Sequence, residues 1–351
     1  MSEKVIMKGN EALAEAAIRA GCKCFFGYPI TPQTEVAAYM SKRMAKAGGV
    51  YLQAESEVAA INMVYGAAAT GTRCMTSSSS PGISLKSEGI SYLIGADLPA
   101  VIVNMVRGGP GLGGIQPAQS DYYQATRGIG HGDSHLLVFA PATIQEMVDL
   151  MTDAFDLADE YRVPAMILGD GAIGQMMEPV TLPEPTANLI EKPWATNGTE
   201  MSRPHNIANS LYLQPDALEK NIRDRYERYA IIEEKEARCE EYMADDADIL
   251  IVSYGIASRI AKSAIKRARA EGIKVGLLRP ITLWPFPVKT MQKHAGHVKA
   301  FLDVELNMGQ MADDVRLAIN CAKPVEFAGR TGGIIITPEE ILAKLREMEA
   351  K

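Results

Sequence analysis

The chain has no apolar run near the roughly 20 residues that a membrane-spanning helix requires. Its first residues, MSEKVIMKGNEA, lack the apolar centre of a secretion signal. Both absences lead us to expect a cytoplasmic protein. There is no excess of positive charge: 36 Lys and Arg against 43 Asp and Glu leave a net charge of -7. No segment supplies the basic patch that nucleic-acid binding needs. Cysteine is scarce and scattered. Five are present, Cys22, Cys24, Cys74, Cys239 and Cys321, without the close CxxC-type spacing of iron–sulfur ligands, so a cluster held by this chain is not expected and reduced thiols are. Histidines are few, and the Gly-Asp-Ser between His131 and His135 breaks helical register. A loop or interface role suits that pair better than metal ligation, and no metal site is expected in the chain.

What is present suits two soluble domains: 351 residues, 47% hydrophobic and 23% charged, are enough for each to bury its own core. Helical and strand patterns alternate. Helices are expected over residues 10–20, 34–44 (with Thr34 as N-cap), 57 onward, 83–94 and 144–161. Strands are expected over 23–26, 50–52, 73–76, 98–106, 136–139 and 163–168. This alternation predicts an α/β fold, a largely parallel sheet with helices on both faces. Residues 181–205 are Pro-rich and read as a linker, and the dense alternating charge of 216–242 reads as a solvated connecting helix. A second α/β unit starts near Asp248, with Glu305 and Asn307 expected to cap its helix ending near Cys321. The expected division is 1–182, 183–244 and 245–351.

Four stretches carry chemistry. In VYLQAESEVAAINMVYGAAATG, residues 50–71, a strand runs into Glu55-Ser56-Glu57 and a small-residue helix. Carboxylates at a helix start meet unpaired N–H groups and the positive dipole end, and a surface so short of side-chain bulk invites close approach. A buried helix with solvated acids fits the pattern too. In GYPITP, residues 27–32, two prolines hold Thr31 in a stiff loop. The Ser77-Ser78-Ser79-Ser80-Pro81-Gly82 turn offers hydroxyls and N–H groups at a helix start, either for an anion or as an ordinary cap. Finally, Arg107-Gly-Gly-Pro-Gly-Leu-Gly-Gly follows a strongly strand-like run. Gly109, Gly111 and Gly114 match GxGxxG, but Pro117 interrupts the helix a pyrophosphate would need and no acid ends a second strand about 20 residues later. The glycines instead let backbone approach a ligand beside Arg107. Residues 116–133 are too irregular for a core element.

The YPITP segment, the acid opening an Ala/Gly-rich helix, RGGPGLGG, PAQSDYYQAT and the turn RPITLWPFP together resemble the α subunit of 2-oxoacid:ferredoxin oxidoreductases over nearly the whole chain, most closely the 3-methyl-2-oxobutanoate type. The resemblance implies an N-terminal doubly wound domain of the thiamin diphosphate (pyrimidine-binding) type and a C-terminal domain like that of transketolase. It implies that Glu57, joined directly to the Val58-Ala59-Ala60 run, is the acid that hydrogen-bonds the cofactor's aminopyrimidine. Thr31 is then a substrate or cofactor contact, and Arg107 binds the 2-oxoacid carboxylate, a task suited to its planar charged fork. Gly169-Asp170-Gly171 looks like the metal and diphosphate motif of thiamin enzymes, but Asn197, 26 positions after Gly171, is followed by Gly198 rather than a second asparagine, and Pro179, Pro183, Pro185 and Pro193 are expected to exclude the intervening helix and strand. Asp170 is expected to organise a turn.

The resemblance therefore implies a site shared with partners. A β subunit brings the diphosphate motif and Mg, and a γ subunit and a ferredoxin-like δ subunit complete the complex, with iron–sulfur clusters in the partners. The reaction is oxidative decarboxylation of a branched 2-oxoacid to acyl-CoA, with coenzyme A and ferredoxin as co-substrates. The alternatives are the same chemistry on 2-oxoglutarate or pyruvate, and a noncatalytic scaffold or nucleotide-binding subunit, favoured if Glu57 and Arg107 lie far apart. Transketolase-like sugar chemistry would need a histidine-rich pocket that the N-terminal half lacks.

Overall fold

The computed structural model describes residues 4–186 and 189–350. Its main sheet has seven strands in the order Thr282–Trp284, Leu137–Phe139, Ala165–Asp170, Val101–Val106, Cys74–Ser78, Cys24–Gly27, Val50–Gln53. All neighbours run parallel except Thr282–Trp284, which pairs antiparallel with Leu137–Phe139. Every residue of Cys74–Ser78, Val101–Val106 and Ala165–Asp170 is buried. Successive side chains point to opposite faces, so both faces of the sheet are covered, as the alternating pattern predicted. Helices Gly9–Arg19 and Ile144–Tyr161 pack together, as do Glu57–Ala69 and Pro81–Gly95.

A second sheet of five strands, Val325–Gly329, Ala300–Glu305, Ile249–Val252, Val275–Pro280 and Cys239–Tyr242, is parallel but for the last pair. The halves interlock. Thr282–Trp284 leaves the second half to edge the first sheet, and Trp284 stacks on His135 with ring centroids 4.8 Å apart. Among the described residues no helix is long and apolar enough to cross a membrane.

Several local expectations are corrected. The charged helix is Pro215–Lys235, and Cys239–Tyr242 is a strand. Nor is that helix merely solvated: Arg225, Tyr229 and Ile232 are buried, and Arg225 donates to Asp97 and to the Gly95 carbonyl. These residues, spaced four and three apart, form a stripe that the surrounding charge hides. Gln33, not Thr34, occupies the N-cap of Thr34–Arg43, and neither side chain caps it. Residues 171–181 contain both a short helix, Gly171–Gln175, and a strand, Met177–Thr181. Pro179 is tolerated there because the strand is paired only with Lys4–Lys8, antiparallel and outside the main sheet. The linker lies against its own chain, with Lys192 paired to Asp159 at 2.5 Å and Thr196 donating to the Ala69 carbonyl at 2.8 Å.

The irregular segment at 116–133 also enters the core. It contains the helix Tyr122–Thr126, and Gln119 and Tyr122 are buried. Gln119 closes the carboxyl end of the second sheet: its side chain accepts from the Leu306 N–H at 2.9 Å and donates to the Tyr254 carbonyl at 2.9 Å. Glu305 accepts from the N–H of Met311, the first residue of the helix Met311–Ala318, whereas Asn307 accepts from the Gly309 N–H in the turn before it. Two residues before Glu305, Asp303 is fully buried, and neither carboxyl oxygen meets a donor among the described residues. Burial, and then the Glu305 carboxylate against it, push Asp303 well above the usual carboxylate range, so it holds a proton and donates to Glu305. Because the folded value is the raised one, this stabilisation is complete below the ordinary carboxylate range and lost as pH rises through the folded value. Asp303→Asn supplies a donor that needs no proton. Its stability relative to wild type is expected to rise with pH, by about 1–3 kcal/mol once Asp303 ionises. Urea unfolding across pH 5 to 9 checks this, and parallel curves for the two proteins would count against a shared proton.

Candidate active site

The chain lays down Cys24–Gly27, then adds Val50–Gln53 on one side of it and Cys74–Ser78 on the other. The strand order therefore reverses between Cys24–Gly27 and Cys74–Ser78, and crossovers that diverge leave a crevice beyond the carboxyl ends of those strands. The Tyr28–Pro32 loop, the Ser78–Gly82 turn and the start of the Glu57 helix all meet there. The position is a consequence of strand order rather than of any one motif.

Glu57 is the first residue of Glu57–Ala69, whose N-cap Ser56 accepts from the Ala59 N–H at 3.1 Å. Of the two acids, Glu55 is exposed and Glu57 is buried, 6% exposed. Gly82 makes room for it: a Cβ there would lie 2.7 Å from Glu57 Oε1 and 2.1 Å from Ser78 Oγ. The close approach expected along the small-residue helix occurs at its flanks, where Ile61 meets Gly89 and Ala195 meets Gly71, while Gly66 faces open space.

Arg107, one residue past Val101–Val106, is buried at 8% exposure, which excludes a solvent-facing role. Its Nη1 donates to the Thr31 carbonyl at 3.0 Å and its Nη2 to the Leu112 carbonyl at 3.2 Å, while Nε is buried without a partner among the described residues. The glycine-rich loop thus wraps the guanidinium. No helix starts at its glycines, the next being the short Tyr122–Thr126 beyond Pro117, in keeping with the rejection of a dinucleotide fingerprint. Ser80 Oγ accepts from the Arg107 N–H at 3.1 Å and donates to its carbonyl at 3.2 Å. Ser80 has φ of 21°, an uncommon value for a residue with a side chain. It is held there by its N–H donating to Asn104 Oδ1 at 3.1 Å. Ser77 Oγ donates to Gln33 Oε1 at 2.5 Å, and Gln33 Nε2 to the Tyr28 carbonyl at 3.3 Å, tying the YPITP loop to the same turn.

The structure therefore gathers Glu57, Thr31 and Arg107 around one turn, Ser77–Gly82, which removes the observation that would have favoured a noncatalytic scaffold. The Ser77–Gly82 turn was singled out in the sequence without separate roles for Ser80 and Gly82, and sequence reasoning missed Gln33, Asn104 and Lys86. For Lys86 a signal existed: Ile83, Ile90, Leu93 and Ile94 mark the buried face of Pro81–Gly95, and Lys86 falls on it. The others act through backbone contacts that leave no periodic trace.

A carboxylate beside a glycine cradle, two buried hydroxyls without partners among the described residues (Ser78 and Ser79) and a guanidinium with a free N–H fit the aminopyrimidine end of thiamin diphosphate together with a carboxylate-bearing substrate. They do not fit its diphosphate and metal. Asp170 is consumed by the N–H groups of Ala172 and Ile173 at 2.8 and 3.1 Å and by that of Ile256, and Asn197 Oδ1 by Arg203 at 2.9 Å. Burial pushes Asp170 up to about 6.

Fold and site together define a pyrimidine-binding α/β domain of the thiamin diphosphate class. The chain belongs to the 2-oxoacid:ferredoxin oxidoreductase family: residues 15–244 match the thiamine diphosphate-binding domain of pyruvate flavodoxin/ferredoxin oxidoreductases and residues 247–341 match core domain II of pyruvate:ferredoxin oxidoreductase. It is 51% identical to a ketoisovalerate oxidoreductase subunit VorB of Methanothermobacter marburgensis, covering 98% of this chain and 97% of that one. It is 36% identical to a 2-oxoglutarate synthase subunit KorA of Methanothermobacter thermautotrophicus, over 99% and 100%. A solved 2-oxoglutarate:ferredoxin oxidoreductase of Magnetococcus marinus superposes with a TM-score of 0.88 at 29% identity, over 99% of this chain and 65% of that one. A split-gene transketolase, at 14% identity and a TM-score of 0.61, shares the fold. The chain is thus a subunit of a thiamin diphosphate-dependent 2-oxoacid:ferredoxin oxidoreductase.

Proposed function

We propose that the complex containing this chain oxidatively decarboxylates the branched 2-oxoacid 3-methyl-2-oxobutanoate to an acyl-CoA and CO2, reducing ferredoxin, in a cytoplasmic setting. The observation that carries the proposal is the convergence of Glu57, Thr31 and Arg107 on the Ser77–Gly82 turn at the sheet's switch point. The choice of substrate is supported by the higher identity to a ketoisovalerate than to a 2-oxoglutarate subunit, 51% against 36%. Thiamin diphosphate, when bound, supplies the carbon nucleophile and electron sink for decarboxylation. This chain's contribution is positional. Glu57 exchanges a proton with the aminopyrimidine ring nitrogen, Arg107 offers its free N–H to the substrate carboxylate, and the Thr31 loop, pinned through its carbonyl, lines the same crevice.

In this reading residues 1–182 form the pyrimidine-binding unit, 183–244 the connector and 245–351 the transketolase-like unit. A β subunit brings the diphosphate and Mg ligands, and γ and ferredoxin-like δ subunits complete the assembly with their iron–sulfur clusters. Exposed apolar side chains near the crevice, Val58 (47%) and Leu85 (55%) on the packed helices and Leu112 (84%) at the glycine-loop tip, suit a surface covered by the β subunit.

Two measurements test the reading. Specificity constants of the purified complex should favour 3-methyl-2-oxobutanoate over 2-oxoglutarate and pyruvate, and a preference for either of those would replace the substrate. Calorimetric titration of the lone chain should show binding of thiamin diphosphate and Mg weaker than micromolar. Micromolar binding without a partner would contradict the divided site.

A further inference from the structure

Lys86 has no place in the chemistry described so far. It lies on the core face of Pro81–Gly95 with 0% exposure, where a methionine would pack at less cost, because burying an ammonium is expensive unless it is paired. Among the described residues it has no ion-pair partner within 4.0 Å. Its Nζ donates to Thr76 Oγ1 at 3.0 Å and makes a longer contact of 3.5 Å with the Glu57 carbonyl.

The charges around it are few. From the packed helix Glu57–Ala69 the carboxylate acting on it is that of Glu57; the strand Cys74–Ser78 presents Thr76, a neutral hydroxyl; and on its own helix Glu88 is taken by Tyr92 on the exposed side. The Lys86 ammonium therefore meets the main chain of Glu57 where the two helices pack, and the Glu57 carboxylate acts on it from beyond ion-pair distance.

Resting on the reading of Glu57 given above, we propose that Lys86 is the positioning residue for Glu57: its ammonium anchors the main chain at the first residue of the Glu57 helix and is the counter-charge of the Glu57 carboxylate. Burial pulls Lys86 from the ordinary 10.5 down to about 8, and the Glu57 charge opposes that fall. A lysine held below its unfolded value is charged in both states under pH 8. Between about 8 and 10.5 only the unfolded chain keeps the proton, so the charge-burial cost is relieved as pH rises through that window.

The test uses the cofactor-free full chain, followed by melting temperature across the same window, as wild type, Lys86→Met, Glu57→Gln and Glu55→Gln. The wild-type-minus-Lys86→Met difference is expected to rise with pH. Glu57→Gln should move the onset of the wild-type rise to lower pH, because the opposing negative charge is gone, and Glu55→Gln should leave it in place. A Glu57→Gln curve superimposable on wild type overturns the proposal, and that comparison stands even if Lys86→Met does not fold. In the assembled, thiamin-loaded complex, Lys86→Met is further expected to slow hydrogen–deuterium exchange at the thiazolium carbon by about tenfold, the factor that one pKa unit of charge interaction is worth, with KM for the 2-oxoacid unchanged. Coupling in the melts with unaltered exchange in Glu57→Gln would keep the Lys86–Glu57 pair and reject the cofactor role of Glu57. Absent coupling with lost exchange in Glu57→Gln would do the reverse.

Discussion

Glu57→Gln is expected to lower turnover of the assembled complex by about 10²–10⁴-fold, the range of a lost acid–base group, while leaving assembly intact. The amide keeps the shape that fits beside Gly82, where a Cβ would stand 2.7 Å from Oε1, so the crevice does not collapse. What it loses is the ability to exchange a proton with a ring nitrogen. Glu55→Gln should change little, since Glu55 is exposed and lies before the N-cap Ser56. The measurement is hydrogen–deuterium exchange at the thiazolium carbon, which isolates the proton step from substrate binding and product release. Near-normal exchange in Glu57→Gln, with loss in Glu55→Gln, would show that the neighbouring acid carries the role.

Arg107→Lys should weaken use of the 2-oxoacid more than it weakens cofactor binding. The guanidinium does two jobs at once, spanning the Thr31 and Leu112 carbonyls 3.0 and 3.2 Å away while keeping Nε free. A lysine head group is a single point and cannot hold both carbonyls and still present a donor to a carboxylate. Losing one charged hydrogen bond costs about 1.5–3 kcal/mol, which is about 10- to 150-fold in kcat/KM. Steady-state kinetics with the 2-oxoacid, set beside calorimetric affinity for thiamin diphosphate in the assembled complex, would separate the two effects. An unchanged kcat/KM would reduce Arg107 to a clamp on the Thr31 loop.

How much of this could be read from residue order differs from one element to the next. The alternation of apolar strands with helical patterns was legible because its two periods, 2 and 3.6, are local properties of the chain, and Ile144–Tyr161 falls where its spacing put it. Glu57 was legible because a helix start is announced by its neighbours: Ser56 caps it and the small residues follow. The strand Cys239–Tyr242 was not, since four half-exposed residues after a charged helix carry no alternation of their own. They are a strand only because the edge of Val275–Pro280 is there to pair with. Gln119 was equally silent, because its hydrogen bonds reach Leu306 and Tyr254, far along the chain.

By itself, then, the sequence determined the α/β class and the acid, arginine and threonine that the family resemblance singles out, since each depends on local periodicity or on a short motif. Only the tertiary structure decided that these three share one turn, that Asp170 is spent on capping rather than available to a metal, and that a buried lysine stands behind Glu57. The reason is physical: strand order in a parallel sheet is set by crossovers, so which loops meet at the switch point, and which charges face each other across helices, depends on contacts between residues tens of positions apart.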